Sequence, residues 1–222
     1  MLYITATPIG NLSDITARAA QTLHDVPLII AENPTHTQKL LQALGVKGKR
    51  VTQFAEHNEH KVLDKLISEL KTTDACLVTD AGTPGISDPG FRLVRACIEN
   101  GITVVPLPGA NAAIAALAAS GLPTDRFLFV GFLPKTEPKL QQILKTARQA
   151  ESTLIAYDSP QRILKTLATI EQAEPSVHVV IARELTKLHE EFLRGTSGEV
   201  IEQLKAKPSI KGEITLLISF KN

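Results

Sequence analysis

The sequence predicts an α/β protein, with a mostly parallel sheet in its first half and a mixed sheet in its second. Three observations carry this expectation. Short β-rich runs alternate with helix-period segments from Leu2 to Ala119. The stretch Ser120-Gly121-Leu122-Pro123-Thr124-Asp125 then breaks the rhythm with turn chemistry, which sets the expected domain boundary and gives domains 1–120 and 121–222. Beyond it, two strand runs near Val177–Arg194 are separated only by a polar segment, a pattern that favours antiparallel pairing.

The elements follow in order. Leu2–Ala6 reads as a strand, Asp14–Leu23 as a helix, Pro27–Ala31 as a strand and Thr35–Leu44 as a helix ended by Gly45. Val62, Leu63, Leu66, Ile67 and Leu70 recur at helical spacing in Asn58–Leu70. Ala75–Thr79 is a continuous apolar run, the mark of a strand buried on both faces. Phe91–Glu99 is a helix ended by Asn100-Gly101, and Asp88-Pro89 is the pair expected to open it. Ile102–Pro106 is a strand and Ala110–Ala119 a helix of small residues.

In the second half, Arg126–Phe132 reads as a strand, Pro138–Ala150 as a helix and Ser152–Tyr157 as a strand. Ser159-Pro160 is the expected cap and first residue of a helix. Val177–Ala182 and Glu191–Arg194 are strands. Thr196-x-x-Glu199 is a capping box opening a helix to Leu204, and Glu213–Phe220 is the last strand.

Composition narrows the function classes. A 43% hydrophobic, 21% charged chain of 222 residues is globular rather than disordered. A net charge of +1 excludes a generally basic nucleic-acid coat, though not a local basic patch. Seven Phe, two Tyr and no Trp leave few rings for base stacking. Cys76 and Cys97 lie in apolar runs and read as buried thiols of a cytoplasmic protein. His57, His60 and His189 lack metal-ligand spacing, so no metal is expected. No apolar run approaches the roughly 20 residues that span a bilayer, and no basic leader precedes the first strand, so no membrane partner is expected.

Three segments place Gly, Pro and polar residues just past a strand, where open α/β sheets bind ligands. They are Ala6-Thr7-Pro8-Ile9-Gly10-Asn11, the loop from Thr79 to Gly90, and Pro106-Leu107-Pro108-Gly109-Ala110-Asn111. The middle one packs three Gly and two Pro into twelve residues. It is neither a P-loop nor Gly-x-Gly-x-x-Gly. The second half adds Tyr157-Asp158-Ser159-Pro160-Gln161-Arg162 and the charged run Arg183–Glu191.

Together these pieces resemble the tetrapyrrole methylase superfamily, and within it the ribosomal RNA branch that 2′-O-methylates a decoding-centre cytidine of 16S rRNA. The resemblance rests on Ala6-Thr7-Pro8-Ile9-Gly10-Asn11-Leu12, Asp80-Ala81-Gly82-Thr83-Pro84 with Ser87-Asp88-Pro89-Gly90, and Gly121-Leu122-Pro123-Thr124-Asp125-Arg126-Phe127. Gly131-Phe132-Leu133-Pro134, Ala182-Arg183-Glu184-Leu185-Thr186-Lys187 and Lys211-Gly212-Glu213 complete it. It implies two unlike α/β domains, a homodimer, and S-adenosylmethionine in a cleft between the domains. The residues implied to touch this cofactor are Pro8, Asp80, Ala81, Gly82, Thr83, Pro84, Ile86, Ser87, Pro108, Gly109, Ala112 and Ala113. Tyr157, Gly212, Glu213 and Thr215 are implied to close over it. Two places depart from the family pattern: Glu32-Asn33-Pro34-Thr35 stands for Glu-Asp-Thr-Arg, and Tyr157-Asp158-Ser159-Pro160-Gln161-Arg162 for Tyr-Glu-Ser-Pro-His-Arg.

Methylating a ribose hydroxyl calls for positioning and for removal of a proton. Glu184 is the first candidate base, with Lys187 beside it to orient a phosphate or the hydroxyl. Arg183, Lys187, Lys47, Lys49 and Arg50 are the candidate RNA contacts. The expected substrate is 16S rRNA within the 30S subunit. The rival readings are a methyltransferase of a porphyrinoid or other small molecule, and a cofactor-binding relative that has lost catalysis.

Overall fold

The structure, a computed structural model, describes residues 1–221 and divides into two compact units, Met1–Asn111 and the chain from Ala112 on. Within the described residues no helix is long and apolar enough to cross a membrane.

In the first unit, β1 (Leu2–Thr5), α1 (Ala17–Asp25), β2 (Leu28–Ala31), α2 (Pro34–Ala43), β3 (Arg50–Gln53), α3 (Glu59–Leu70), β4 (Ala75–Val78), α4 (Phe91–Glu99) and β5 (Val104–Leu107) follow one another. The five strands form one parallel sheet in the order β3-β2-β4-β1-β5. The pleat sorts the side chains of the central strands. Leu28, Ile30, Ala75 and Leu77 pack with Leu66, Leu70, Leu93 and Cys97 of α3 and α4. Ile29, Ala31, Cys76 and Val78 pack with Leu23 and Leu41 of α1 and α2. Both faces are therefore covered, which is why β2 and β4 are wholly apolar.

Strand β3 has no counterpart in the sequence reading. As a half-exposed edge strand of sequence Arg-Val-Thr-Gln it carries no apolar run to reveal it. Pro106 is tolerated in β5 because β5 is the opposite edge, where a missing N–H breaks no ladder.

In this unit two helix starts differ from expectation. The segment expected to open a helix at Asp14 is a single 3-10 turn, Leu12–Asp14, capped by Asn11, and α1 begins after Thr16, whose hydroxyl accepts from the Ala19 N–H. Asp88-Pro89 does not open α4; Gly90, at φ +147°, precedes Phe91. A Cβ there would meet the Gly85 nitrogen at 3.1 Å and Leu77 Cδ2 at 3.2 Å. Asn33-Pro34, the departure from the family pattern, is a regular helix start: the Asn33 side chain accepts from the Thr35 and His36 N–H groups, with Pro34 first in α2.

The second unit contains α5 (Ala112–Ser120), β6 (Phe127–Phe132), α6 (Glu137–Gln149), β7 (Thr153–Asp158), α7 (Ile163–Ala173), β8 (His178–Arg183), β9 (Glu191–Thr196), α8 (Ser197–Lys205) and β10 (Ile214–Ser219). Its sheet runs β6-β7-β10-β8-β9 and is mixed: β6 and β7 are parallel, and the other neighbours are antiparallel. The compact units divide before α5, not after it as the turn at residues 120–125 suggested. This helix packs on β10, β7 and β8, and Arg194 donates to the carbonyls of Ala119 and Ser120 at its end. A turn-rich stretch marks where the chain bends, whereas packing decides which core a helix joins. Helix α7 starts at Ile163 rather than at Ser159-Pro160, which form a turn whose Ser159 carbonyl accepts from the Arg162 and Ile163 N–H groups. The capping box at Thr196 is present in both directions.

Candidate active site

In the first unit, α1 and α2 pack on one face of the sheet and α3 and α4 on the other. Strands β1 and β4 are neighbours, yet the helices that follow them lie on opposite faces, so their carboxyl ends flank a switch point. The loops leaving β1, β4 and β5 meet there. Thr7 and Gly82 exchange two backbone hydrogen bonds of 2.8 and 3.0 Å, and Thr7 Oγ1 donates to the Thr79 carbonyl at 3.1 Å. Thr83 Oγ1 donates to the Ala110 carbonyl at 3.0 Å, tying the β4 loop to the β5 loop. Gly109 lies so close to β1 that a Cβ would stand 2.7 Å from that of Ala6.

The β4 loop turns on Gly82 (φ +79°), Gly85 (φ +83°) and Ser87 (φ +68°). Ser87 is a strained conformation for a residue with a side chain, a mark of functional loops. Two buried polar atoms at the start of this loop, Thr79 Oγ1 and Asp80 Oδ1, have no hydrogen-bond partner among the described residues. Such atoms are costly unless water or a ligand satisfies them. The structure thus brings Pro8, Asp80–Ser87 and Pro108-Gly109, expected from the sequence, to one end of one sheet.

The same end holds a cavity of about 380 Å³ at the carboxyl end of β2, walled by Glu32, Glu56, Glu59 and the segment Ser87–Arg92. Burial, with the charges of Glu32 and Asp80, pushes the Asp88 carboxyl up to about 6. Glu59 pairs with Arg92 at 3.0 Å, and Glu32 Oε2 accepts from the Asp80 N–H at 3.3 Å. The sequence reading did not single out Glu56, Glu59 or Phe91, and it gave Asp88 a capping role. The clue was the acidic side of a loop already flagged.

In the second unit, β10 runs antiparallel to β7 and β8, so its first residues lie beside the last residues of both. Thr215 stands opposite Tyr157 and Ala182. Tyr157 packs edge-on against Phe129 and Phe132, with centroids 5.2 and 5.6 Å apart. Just beyond β8, Glu184 (φ +52°) and Thr186 (φ +64°) form a strained turn. Lys187 Nζ reaches Glu184 at 2.8 Å and Glu213 at 3.0 Å, and the Glu213 N–H donates to Glu184 at 2.9 Å. A Cβ on Gly212 would collide with the Glu184 carboxylate, which is why glycine is required there.

The hydrogen bonds from Lys187 and from the Glu213 backbone lower the Glu184 carboxyl below the usual range. Burial alone would lower Lys187, but its bonds to Glu184 and Glu213 outweigh this and raise it. The pair is therefore ionised and mutually engaged, and a carboxylate so held is a weak proton acceptor. Asp158, which with Gln161 is changed in the Tyr157–Arg162 motif, is 3% exposed. It accepts from Thr166 Oγ1 at 2.6 Å and from the Ser159 N–H at 2.8 Å, with Arg162 at 3.4 Å, so its role is to brace the start of α7.

The cations expected to meet RNA are scattered and mostly engaged. Lys47, Lys49 and Arg50 lie at the amino end of β3, so the length of the sheet separates them from the loop cluster. Lys49 donates to the His24 carbonyl and Arg50 pairs with Glu69, while Lys47 is exposed. In the second unit Arg183 pairs with Glu191 at 2.5 Å and donates to the Lys211 carbonyl at 2.7 Å. No group of three His, Cys, Asp or Glu side chains is placed to hold a metal ion among the described residues.

Comparison with known proteins places this arrangement. A relative from Hydrogenobaculum sp. (strain Y04AAS1), named ribosomal RNA small subunit methyltransferase I, is 47% identical over all of this chain and 96% of its own. The protein of that name from Thermotoga maritima is 42% identical over 99% of this chain and 98% of its own. Among solved structures, a diphthine synthase matches with a TM-score of 0.76 at 14% identity, over 98% of this chain and 89% of its own. The methyltransferase CobJ matches at 0.70 with 18% identity, over 98% and 93%. At such identities these two share the fold. Residues 1–201 match the model of the Tetrapyrrole (Corrin/Porphyrin) Methylases, so the chain belongs to that family.

Proposed function

We propose that this protein is an S-adenosylmethionine-dependent methyltransferase that transfers a methyl group to the 2′-hydroxyl of a cytidine in 16S rRNA, acting as a homodimer on the 30S subunit in the cytoplasm. The observation that carries the reading is the 47% identity, over the whole chain, to a ribosomal RNA small subunit methyltransferase I. The donor is assigned to Pro8, Asp80–Ser87 and Pro108-Gly109 in the first unit. The unpartnered Thr79 Oγ1 and Asp80 Oδ1 fit a ligand rich in hydroxyl and ammonium donors. Ala112 and Ala113, with Tyr157, Gly212, Glu213 and Thr215, are the second unit's share of the assignment.

S-adenosylmethionine supplies, when bound, a methyl group on a sulfonium. Held by these residues, it would offer that methyl to the ribose oxygen, with the sulfur as leaving group and the hydroxyl proton given up to solvent. The protein's part is to hold the hydroxyl in line with the donor methyl. Glu184 and Lys187, expected as base and partner, are assigned instead to positioning, because each already neutralises the other. They clamp the Gly212–Glu213 segment against the strained turn after β8.

Recognition rests on the shape of the ribosomal particle rather than on a basic coat, since the charge is +1 and most candidate cations are engaged. Methyl incorporation at one salt concentration into a short cytidine RNA, naked 16S rRNA and 30S particles from cells lacking the gene tests this. Efficient transfer is expected only with 30S particles, and mass spectrometry should find the methyl on a cytidine ribose. Equal transfer to all three would remove particle shape from the mechanism; no transfer to any, with S-adenosylmethionine still bound, would overturn the function.

A further inference from the structure

The cavity beside the donor loop has a composition that donor binding does not explain. Its walls carry four carboxylates, Glu32, Glu56, Glu59 and Asp88, and one cation, Arg92. That cation is engaged, since Arg92 pairs with Glu59 and also contacts His60. Phosphate and carboxylate ligands are therefore repelled, and a ligand offering N–H donors is accepted. The carboxylates are not arranged to share a metal ion.

Two further features point to a flat ligand. Phe91, in the first turn of α4, lines the cavity while leaving 67% of its surface exposed, so its ring is available to a partner. Asp88 makes no hydrogen bond or ion pair with another described residue; the charges that act on it, from Glu32 and Asp80, are of its own sign. It is thus a half-buried acceptor with nothing to accept. Ser87, at the end of the donor loop, is in the same wall, so a ligand seated here lies next to the assigned donor.

We propose that this cavity is the subsite for the base of the target nucleotide, with the cytosine ring stacked on Phe91 and its exocyclic amine donating to Asp88. The assignment rests on the cytidine reading above. Bases that undergo enzymatic chemistry are turned out of their stack and read by aromatic faces and by hydrogen bonds to their edges. Among pyrimidines the choice follows from the charge: cytosine presents an N4 amine, and a carboxylate is its natural acceptor. Uracil presents O4, an acceptor, to the same carboxylate and is rejected.

The test uses the full-length protein with 30S particles from cells lacking the gene, carrying either the native cytidine or uridine at the methylated position. Wild type should prefer cytidine by about tenfold or more, the discrimination expected of one good edge contact. Asp88→Asn, whose amide can donate to O4, should reduce that preference roughly tenfold while leaving S-adenosylmethionine affinity in calorimetry within about twofold of wild type. Phe91→Ala should raise KM for the cytidine particle about tenfold, as expected for loss of one stacking contact, and Phe91→Tyr should restore it. Both positions are at least partly exposed, so the variants should fold, which circular dichroism will check. An unchanged preference in Asp88→Asn together with an unchanged KM in Phe91→Ala would overturn the subsite while leaving the proposed function standing. Failure of wild type to methylate either particle would bring down the function and the subsite with it.

Discussion

Two carboxylates of the site region are displaced in opposite directions, and the physics of each can be measured separately. Asp88 is held at about 6 by burial and by Glu32 and Asp80, above its ordinary 3.8. The folded protein then binds more protons there than the unfolded chain. The stability this confers is complete below about 3.8 and is lost as pH rises through about 6. Glu184 is held low by Lys187 and the Glu213 N–H, so its contribution is complete above its ordinary 4.5 and is lost as pH falls through the lowered folded value. Urea unfolding at pH 4, 6 and 8 should find Asp88→Asn more stable than wild type by ~1 kcal/mol at pH 8, after discounting for solvent screening, with the gap closing by pH 4. Glu184→Gln should be less stable by ~1 kcal/mol at pH 8, and its deficit should shrink toward acid. If both variants show pH-independent differences, neither carboxyl is displaced as described.

At the scale of elements, the same short pattern led to different structures depending on its surroundings. Thr196-x-x-Glu199 is a reciprocal capping box because α8 follows at once and packs Val200, Ile201 and Leu204 into the core beneath it. Asp88-Pro89 and Ser159-Pro160 have equally good capping chemistry but belong to turns, because α4 is entered through Gly90 and α7 through Arg162. Asn33-Pro34, unlike the family pattern, is nonetheless a working cap for α2. Thr196→Ala should therefore cost ~1 kcal/mol in chemical denaturation, the usual worth of a Thr cap. Ser159→Ala should cost less than half of that, since the Ser159 carbonyl, not its hydroxyl, serves α7. Equal costs would mean that the turn before α7 is a side-chain cap after all.

On the scale of the whole molecule, strand order decides the site. Inserting β4 between β2 and β1 places loops from residues near 8, 82 and 109 side by side, although the intervening chain contains eight of the unit's nine regular elements. Gly109 is the test of that convergence, because any side chain there pushes the β5 loop off Ala6. Gly109→Val should weaken S-adenosylmethionine binding at least tenfold in calorimetry, while circular dichroism shows the fold retained. Unchanged affinity would show that the donor does not rely on the junction of these loops.

The sequence by itself determined the α/β class, the parallel and mixed character of the two sheets, and most elements, because hydrophobic period and buried apolar runs are local signals. It also marked the three Gly/Pro loops and the charged turn after β8, since those residue types are rare together in plain connectors. Only the tertiary structure decided the rest. The edge strand β3 was hidden because an exposed edge needs no apolar run. The assignment of α5 to the second unit depends on which sheet its small residues pack against. Whether a charged side chain is available depends on partners distant in sequence: Glu69 takes Arg50, Glu191 takes Arg183, and Lys187 takes Glu184 and Glu213. Asp88 and Phe91 are neighbours in the chain, but they became a candidate site only because folding sets Glu32, Glu56 and Glu59 across one cavity from them and leaves the acceptor unpartnered and the ring open.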